Sequence, residues 1–166
     1  MITFVEGLNG AGKTTWIDKQ KNDNGKVIKT GYLNPKENVQ KVYNLNNRCL
    51  ELCYETLLRT LIECKELNWF LDRSFISAFV YGTIETYTYE YLIHILASKL
   101  TRDEFCVVFI DTDVVTCAKR LDERKDQGIK TFSQTYDELY LMKKRFEIAK
   151  FIWENHGFAW TVYKGE

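Results

Sequence analysis

The sequence of 166 residues has a single proline, Pro35, and shows no repeat, no low-complexity tract and no proline-rich linker. Nothing in it marks an internal boundary, so one domain over residues 1–166 is expected. It lacks an excess of either charge: lysine plus arginine and aspartate plus glutamate both count 23. That balance removes any global pull toward nucleic acid or an anionic membrane. No apolar run reaches the ~18 residues of a membrane-spanning helix. The N-terminus has neither the charged start nor the long apolar core of a signal peptide. The five cysteines, Cys49, Cys53, Cys64, Cys106 and Cys117, are odd in number and lack close metal-ligand pairing. They read as reduced, mostly buried thiols of a cytoplasmic protein. Cys49 and Cys53, four apart with no histidine nearby, are expected to pack in the core.

Hydrophobic residues are plentiful, at 45%, with ten Tyr, ten Phe and four Trp, which argues against disorder. The most informative stretch is Gly7-Leu8-Asn9-Gly10-Ala11-Gly12-Lys13-Thr14. An apolar run, Ile2-Thr3-Phe4-Val5, feeds into it, and a helix-compatible segment leaves it near Lys13. This is the phosphate-binding loop pattern in its strand–turn–helix context. The glycines let successive amides turn inward toward phosphate oxygens. The helix N-terminus adds partial positive charge. Lys13 supplies a full charge to the β- and γ-phosphates, and the Thr14 hydroxyl is placed to ligate Mg²⁺. The plainer reading is a chance match inside a glycine-rich loop, and the flanking strand and helix count against it.

Periodicity predicts strands over 2–6, 26–29, 68–71, 105–110 and 158–163. Helices are expected from about 13 to 21, 37 to 67, 75 to 81, 87 to 100, 114 to 124 and 133 to 157. On the 37–67 stretch Val39, Val42, Leu45, Leu50, Cys53, Leu57 and Leu61 form an apolar stripe, and a break near 44–47 is possible. The repeated order strand, loop, helix implies an α/β fold: a five-stranded parallel sheet with right-handed crossovers and helices on both faces.

Two further segments carry chemistry. Asp72-Arg73 follows the third strand directly, where ligands bind in open α/β sheets. An Asp there can hold a Mg²⁺ shell and an Arg can clamp a phosphate; the plainer reading is a salt bridge capping the next helix. After the fourth strand, Asp113 suits an N-cap. Lys119, Arg120, Glu123, Arg124 and Lys125 then gather cations, with Arg120 and Arg124 on one face. With the loop Asp126-Gln127-Gly128-Ile129-Lys130, this segment near 119–132 is where a closing lid would sit, although a solvated charged face has the same composition. The aromatics of 75–81 and 87–100 suit either a base pocket or ordinary core. His94 reads as a packed core or rim histidine, and Arg59 as a solvated one.

Phe4-Val5-Glu6-Gly7-Leu8-Asn9-Gly10-Ala11-Gly12-Lys13-Thr14-Thr15 resembles the opening of thymidylate kinases. The resemblance extends to Asp72-Arg73, Ser77, Tyr81 and Cys117-Ala118-Lys119-Arg120-Leu121-Asp122-Glu123-Arg124, and in spacing covers nearly the whole chain. Ser74 is shared with deoxynucleoside kinases, which read Glu-Arg-Ser. The resemblance implies the phosphate-loop NTPase fold and ATP-dependent, Mg²⁺-assisted transfer of a γ-phosphoryl group to a deoxynucleoside monophosphate, giving the diphosphate and ADP. It implies a nucleotide-binding set of Gly7, Asn9, Gly10, Ala11, Gly12, Lys13, Thr14, Thr15 and Arg120. Thr14 and Asp72 would hold the metal. Lys13, Asp72, Arg73 and Arg124 would carry the reaction: Arg73 on the acceptor phosphate, Asp72 organising metal and acceptor, and Arg124, with Arg120, closing on the transferring group. A homodimer through the helix from about Glu37 is also implied.

The chemistry of the acceptor favours the monophosphate. A nucleoside needs a base for its 5′-hydroxyl, whereas a monophosphate brings negative charge and wants cations. Lys29, Arg73 and the lid supply them, and no carboxylate stands between Lys29 and Glu37. A deoxynucleoside kinase and a kinase acting on nucleic acid are the alternatives; the latter wants a basic track that the neutral composition does not favour. A nucleotide-dependent switch is a third, weakened by the lack of an Asn-Lys-x-Asp motif.

Overall fold

The computed structural model describes residues 1–20, 25–29, 47–129 and 134–165. Five strands form one sheet: β1 (Ile2–Glu6), β2 (Gly25–Lys29), β3 (Asn68–Asp72), β4 (Phe105–Asp111) and β5 (Trp160–Lys164). Their order is β2-β3-β1-β4-β5, and every pairing is parallel. The described helices are α1 (Lys13–Gln20), α2 (Asn47–Glu63), α3 (Phe75–Val80), α4 (Thr86–Lys99), α5 (Val114–Asp126) and α6 (Tyr136–Asn155). The expected α/β architecture holds.

All five residues of β1 are buried, which suits the middle of a parallel sheet covered on both sides. Side chains alternate between its faces. Phe4 points to the face where Phe75 of α3 and Trp153 of α6 meet it edge-on, with ring centroids 5.8 and 6.0 Å away. Phe109 of β4 meets Phe146 of α6 on the same face, at 5.0 Å. The opposite face carries α1, whose Trp16 lies between Phe70 of β3 and Tyr163 of β5. Helices therefore cover both faces. Connections leave β1 and β4 in opposite directions, toward β2 and β5. Such a reversal opens a crevice at the carboxyl ends of the strands. β1 delivers residue 7 there, β3 delivers Asp72 and β4 delivers Asp111.

Several local expectations are corrected. The buried stripe of α2 runs through Leu50, Tyr54, Leu58 and Leu61. Cys53 falls outside it and is exposed, so the expected core role of Cys53 is wrong; Cys49, Cys64 and Cys106 are half-buried, and only Cys117 among the cysteines is buried. The last long helix begins at Tyr136, not Ser133. Thr135 caps it: its hydroxyl accepts from the Glu138 N–H while the Glu138 carboxylate accepts from the Thr135 N–H. β5 begins at Trp160 rather than 158, because the Ala159 carbonyl is turned to accept the Trp153 indole N–H at 3.1 Å. Asp113 does cap α5, accepting from Thr116 N at 2.8 Å. Arg59 is a surface partner of Glu55. His94 sits exposed on α4 with its ring edge-on to His156, a rim position. The aromatics of 75–81 and 87–100 split in the same way: Phe75 and Tyr89 are fully buried core. Residues 30–46, including Pro35 and the early part of the 37–67 helix, lie outside the described residues.

Candidate active site

The loop between β1 and α1 folds around its own lysine. Lys13 is almost wholly buried. Its Nζ donates to the carbonyls of Gly7 and Leu8, at 3.1 and 2.9 Å. Burial, with the Arg73 charge beside it, pulls the ammonium pKa down to about 7. An anion at this point would reverse that balance. Glycine is required at residue 10, which has φ +83°; a Cβ there would stand 2.8 Å from the Cys117 carbonyl of α5. The loop is thus pressed against the helix that carries the expected lid.

Thr14, at the start of α1, meets the end of β3. Its hydroxyl donates to Asp72 Oδ2 at 2.6 Å. The next residue, Arg73, has φ +74° and is the non-glycine residue with positive φ among the described residues. Such a conformation costs on the order of 1–3 kcal/mol and persists only where the surroundings impose it. They do so here. The Arg73 N–H donates to the Val5 carbonyl at 3.1 Å, extending the β1–β3 ladder. Its guanidinium donates to Asn9 Oδ1 through Nη2 and to Ser77 Oγ through Nη1 at 3.2 Å, and lies over the Tyr81 ring. The helix cap is Ser74, which accepts from Ile76 N at 3.1 Å, so the expectation of a charged cap at this point is replaced by a serine cap.

From the other side, α5 contributes two arginines. Arg120 Nη1 donates to the Gly10 carbonyl at 3.1 Å. Arg124 lines two adjoining cavities of about 200 Å³ each. One is walled by Asn9, Gly10, Gly12, Lys13, Thr14, Thr15, Asp72, Arg73 and Arg124. The other joins Ala11 and Arg120 to Trp16, Lys19, Ile110, Tyr163 and Gly165.

Of the residues that the resemblance implies for nucleotide, metal and transfer, all but Gly7 line one cavity or the other, whereas Lys29, also read from sequence as a cation for the acceptor, lines neither. Gly7 lies behind the loop, where a Cβ would stand 2.7 Å from the Ile110 carbonyl. Sequence reasoning missed three groups. Trp16 and Tyr163 wall the second cavity; the sequence places them on the first helix and the last strand without marking either for the site. Gln134 accepts from the Asn9 amide across the site, and nothing in its local sequence marks it. Glu6, fully buried beneath Ser74 and Ser77, had a visible signal: a carboxylate closing an otherwise apolar strand. The lid segment is helical to Asp126 and closes through Gly128; residues 130–133 lie outside the described residues.

No family model and no curated protein matches this sequence. Solved structures do share its fold. A chain of the Pnkp1/Rnl/Hen1 RNA repair complex superposes with a TM-score of 0.58 at 14% identity over 90% of this chain, which spans 44% of that one. Deoxyadenosine kinase from M. mycoides with dCMP and a flexible dCDP bound gives 0.55 at 16% identity, covering 100% of this chain and 90% of that one. The same kinase with dATP bound gives 0.55 at 14% identity, covering 99% and 91%. At these identities the likeness is one of fold: the chain has the five-stranded parallel α/β fold of phosphate-loop kinases.

Proposed function

We propose that this protein is a phosphotransferase that moves the γ-phosphoryl group of ATP to the phosphate of a deoxynucleoside monophosphate, forming the diphosphate and ADP. The observation that carries the reading is the convergence of Lys13, Arg73 and Arg124 on one cavity whose single carboxylate among the described residues is Asp72. Three cations facing one anion suit two phosphorylated substrates meeting end to end. Phosphoryl transfer is governed by positioning and charge neutralisation rather than covalent catalysis. The loop amides and Lys13 hold the donor phosphates, Arg73 holds the acceptor phosphate, and Arg124 approaches from α5 toward the group in transit. Thr14 and Asp72, two hard oxygen donors 2.6 Å apart, fit Mg²⁺, which when bound neutralises charge on the donor phosphates. The cavity walled by Trp16, Tyr163, Arg120 and Arg124 adjoins the phosphate site and is available to the donor's base.

The resemblance of residues 4–15 to thymidylate kinases makes thymidylate the first acceptor to assay. A second reading, phosphorylation of a deoxynucleoside 5′-hydroxyl, has one specific support: Asp72 is a carboxylate on the wall of the cavity, the kind of group that takes a hydroxyl proton. Coupled-assay rates with ATP and a panel of deoxynucleosides, their monophosphates and 5′-hydroxyl oligonucleotides separate these. Turnover of monophosphates is expected. Turnover confined to unphosphorylated nucleosides, or to oligonucleotide ends, rejects the proposal.

A further inference from the structure

Glu6 ends β1 with no exposed surface, behind the phosphate loop, and none of the steps above uses it. A carboxylate in that place is heavily penalised unless its oxygens are bonded. Both are. Oε1 accepts from Ser74 Oγ at 2.6 Å and Oε2 accepts from Ser77 Oγ at 2.5 Å. Each hydroxyl owns one proton, and both protons are committed to Glu6. That commitment orients what remains. The Ser77 oxygen turns its lone pairs to Arg73, whose Nη1 donates to it at 3.2 Å. The Ser74 oxygen turns to Ile76 N and caps α3 immediately after the strained Arg73 backbone. Burial raises the Glu6 pKa, and the net direction stays upward although the two serine bonds and the nearby charges of Arg73 and Lys13 oppose it. The geometry fixes both serine protons on Glu6 all the same, because each serine oxygen already accepts, from Ile76 N and from Arg73 Nη1.

We propose that Glu6 is a positioning residue for phosphoryl transfer: acting through Ser77 and Ser74, it sets the direction in which Arg73 presents its guanidinium to the acceptor phosphate. The proposal rests on Arg73 being the acceptor-binding arginine. An ionised carboxylate is acceptor-only, so neither serine can turn around while it stands. A glutamine fills the same volume but must donate to one serine, and that serine's proton then points at a donor, either Arg73 Nη1 or Ile76 N. A residue that merely filled the space would tolerate the exchange.

The test pairs kinetics with a readout that needs no turnover. Glu6→Gln and Ser77→Ala should each raise the acceptor KM by about tenfold, the scale of one hydrogen bond to a charged group, with the ATP KM within about twofold. Added to Arg73→Ala, Glu6→Gln should change acceptor kinetics no further. In nitrogen-15 NMR, Arg73 (its signals identified by their loss in Arg73→Ala) should show hindered guanidinium rotation in the wild type and averaged rotation in both variants. If the wild type phosphorylates no monophosphate yet the variants free the guanidinium, the acceptor reading falls and the positioning role stands. If Arg73 is equally hindered in the variants, the proposal is overturned whatever the activity. Should Glu6→Gln not fold, Ser77→Ala, which removes only the relay hydroxyl, decides.

Discussion

The hydroxyl of Thr14 donates to Asp72 Oδ2 at 2.6 Å across 58 residues of sequence. Strand register makes this meeting inevitable. Val5 pairs with Asp72 between β1 and β3, so the loop leaving β1 must fold back over the end of β3. The start of α1 then faces the aspartate. Two oxygen donors are brought together at the mouth of the cavity that Lys13 and Arg73 also line.

If this pair holds Mg²⁺, Asp72→Asn should raise the Mg²⁺ concentration for half-maximal turnover by about 10–100-fold, the loss typical of a disturbed metal shell. Thr14→Ala should move it in the same direction. Magnesium titrations of initial rate at saturating ATP check this. An unchanged half-saturation point in both variants would remove the metal-holding role from Thr14 and Asp72.

Lys13 predicts a proton linkage. Its pKa is lowered to about 7 by burial and by Arg73, so above that pH the free protein has largely released this proton. A polyphosphate favours the ammonium and restores it. Binding of a nucleotide at about pH 8.5 should therefore take up close to one proton, and the uptake should fade below about pH 7. The sign for folding is the matching one: the unfolded chain binds the extra proton, so stability rises with pH from about 7 toward the usual lysine value near 10.5. Calorimetric titrations in two buffers of different ionisation heat measure the uptake. Lys13→Ala should abolish both uptake and transfer while circular dichroism stays native.

Gly10 and Gly128 separate crowding from backbone strain. Both have positive φ, +83° and +71°, but a Cβ on Gly10 meets the Cys117 carbonyl at 2.8 Å whereas one on Gly128 meets nothing within 4 Å. Gly128→Ala should cost about 1 kcal/mol, the strain alone. Gly10→Ala should cost more, about 2–4 kcal/mol, because α5 must move off the loop. At about 2–4 °C per kcal/mol for a chain of this size, thermal unfolding resolves the two. Equal losses would mean that α5 does not bear on the loop.

Much of this arrangement was legible in the sequence because its signals are local. The strand, loop and helix from Ile2 to Gln20 announce themselves through glycine spacing and a lysine, and five apolar runs gave five strands within about two residues at each end. Asp72 and Arg73 stood out as charges at the close of a buried run. What stayed hidden is set by tertiary partners. Glu6 carries its meaning only once Ser74 and Ser77 are seen beneath it, 68 and 71 residues away. Gln134 reaches Asn9 over 125 residues, which no window along the chain can register. Cys53 looked apolar at helical spacing, yet Tyr54 beside it is the residue that faces the core.

The two arginines of α5 should fail differently. They are one turn apart and share a face, but their surroundings are not the same. Arg120 is committed to the Gly10 carbonyl at 3.1 Å and lines only the cavity offered to the donor's base. Arg124 lines both cavities, and on the proposed function it stands where the two substrates would meet. An arginine aimed at charge that develops in transit is worth about 10³–10⁵ in rate. Arg124→Ala should therefore lower kcat by about 10³-fold with the ATP KM little changed, the signature of an interaction made in the transition state alone. Arg120→Ala should chiefly raise the ATP KM, by about tenfold for one hydrogen bond to a charged group. Arg124→Lys keeps the charge but loses the fork of donors, and should recover only a small part of the rate. Steady-state kinetics on the three variants check the assignment. A larger kcat loss from Arg120→Ala than from Arg124→Ala would exchange the two roles, and would place the reacting phosphate against Gly10 rather than between Lys13 and Arg73.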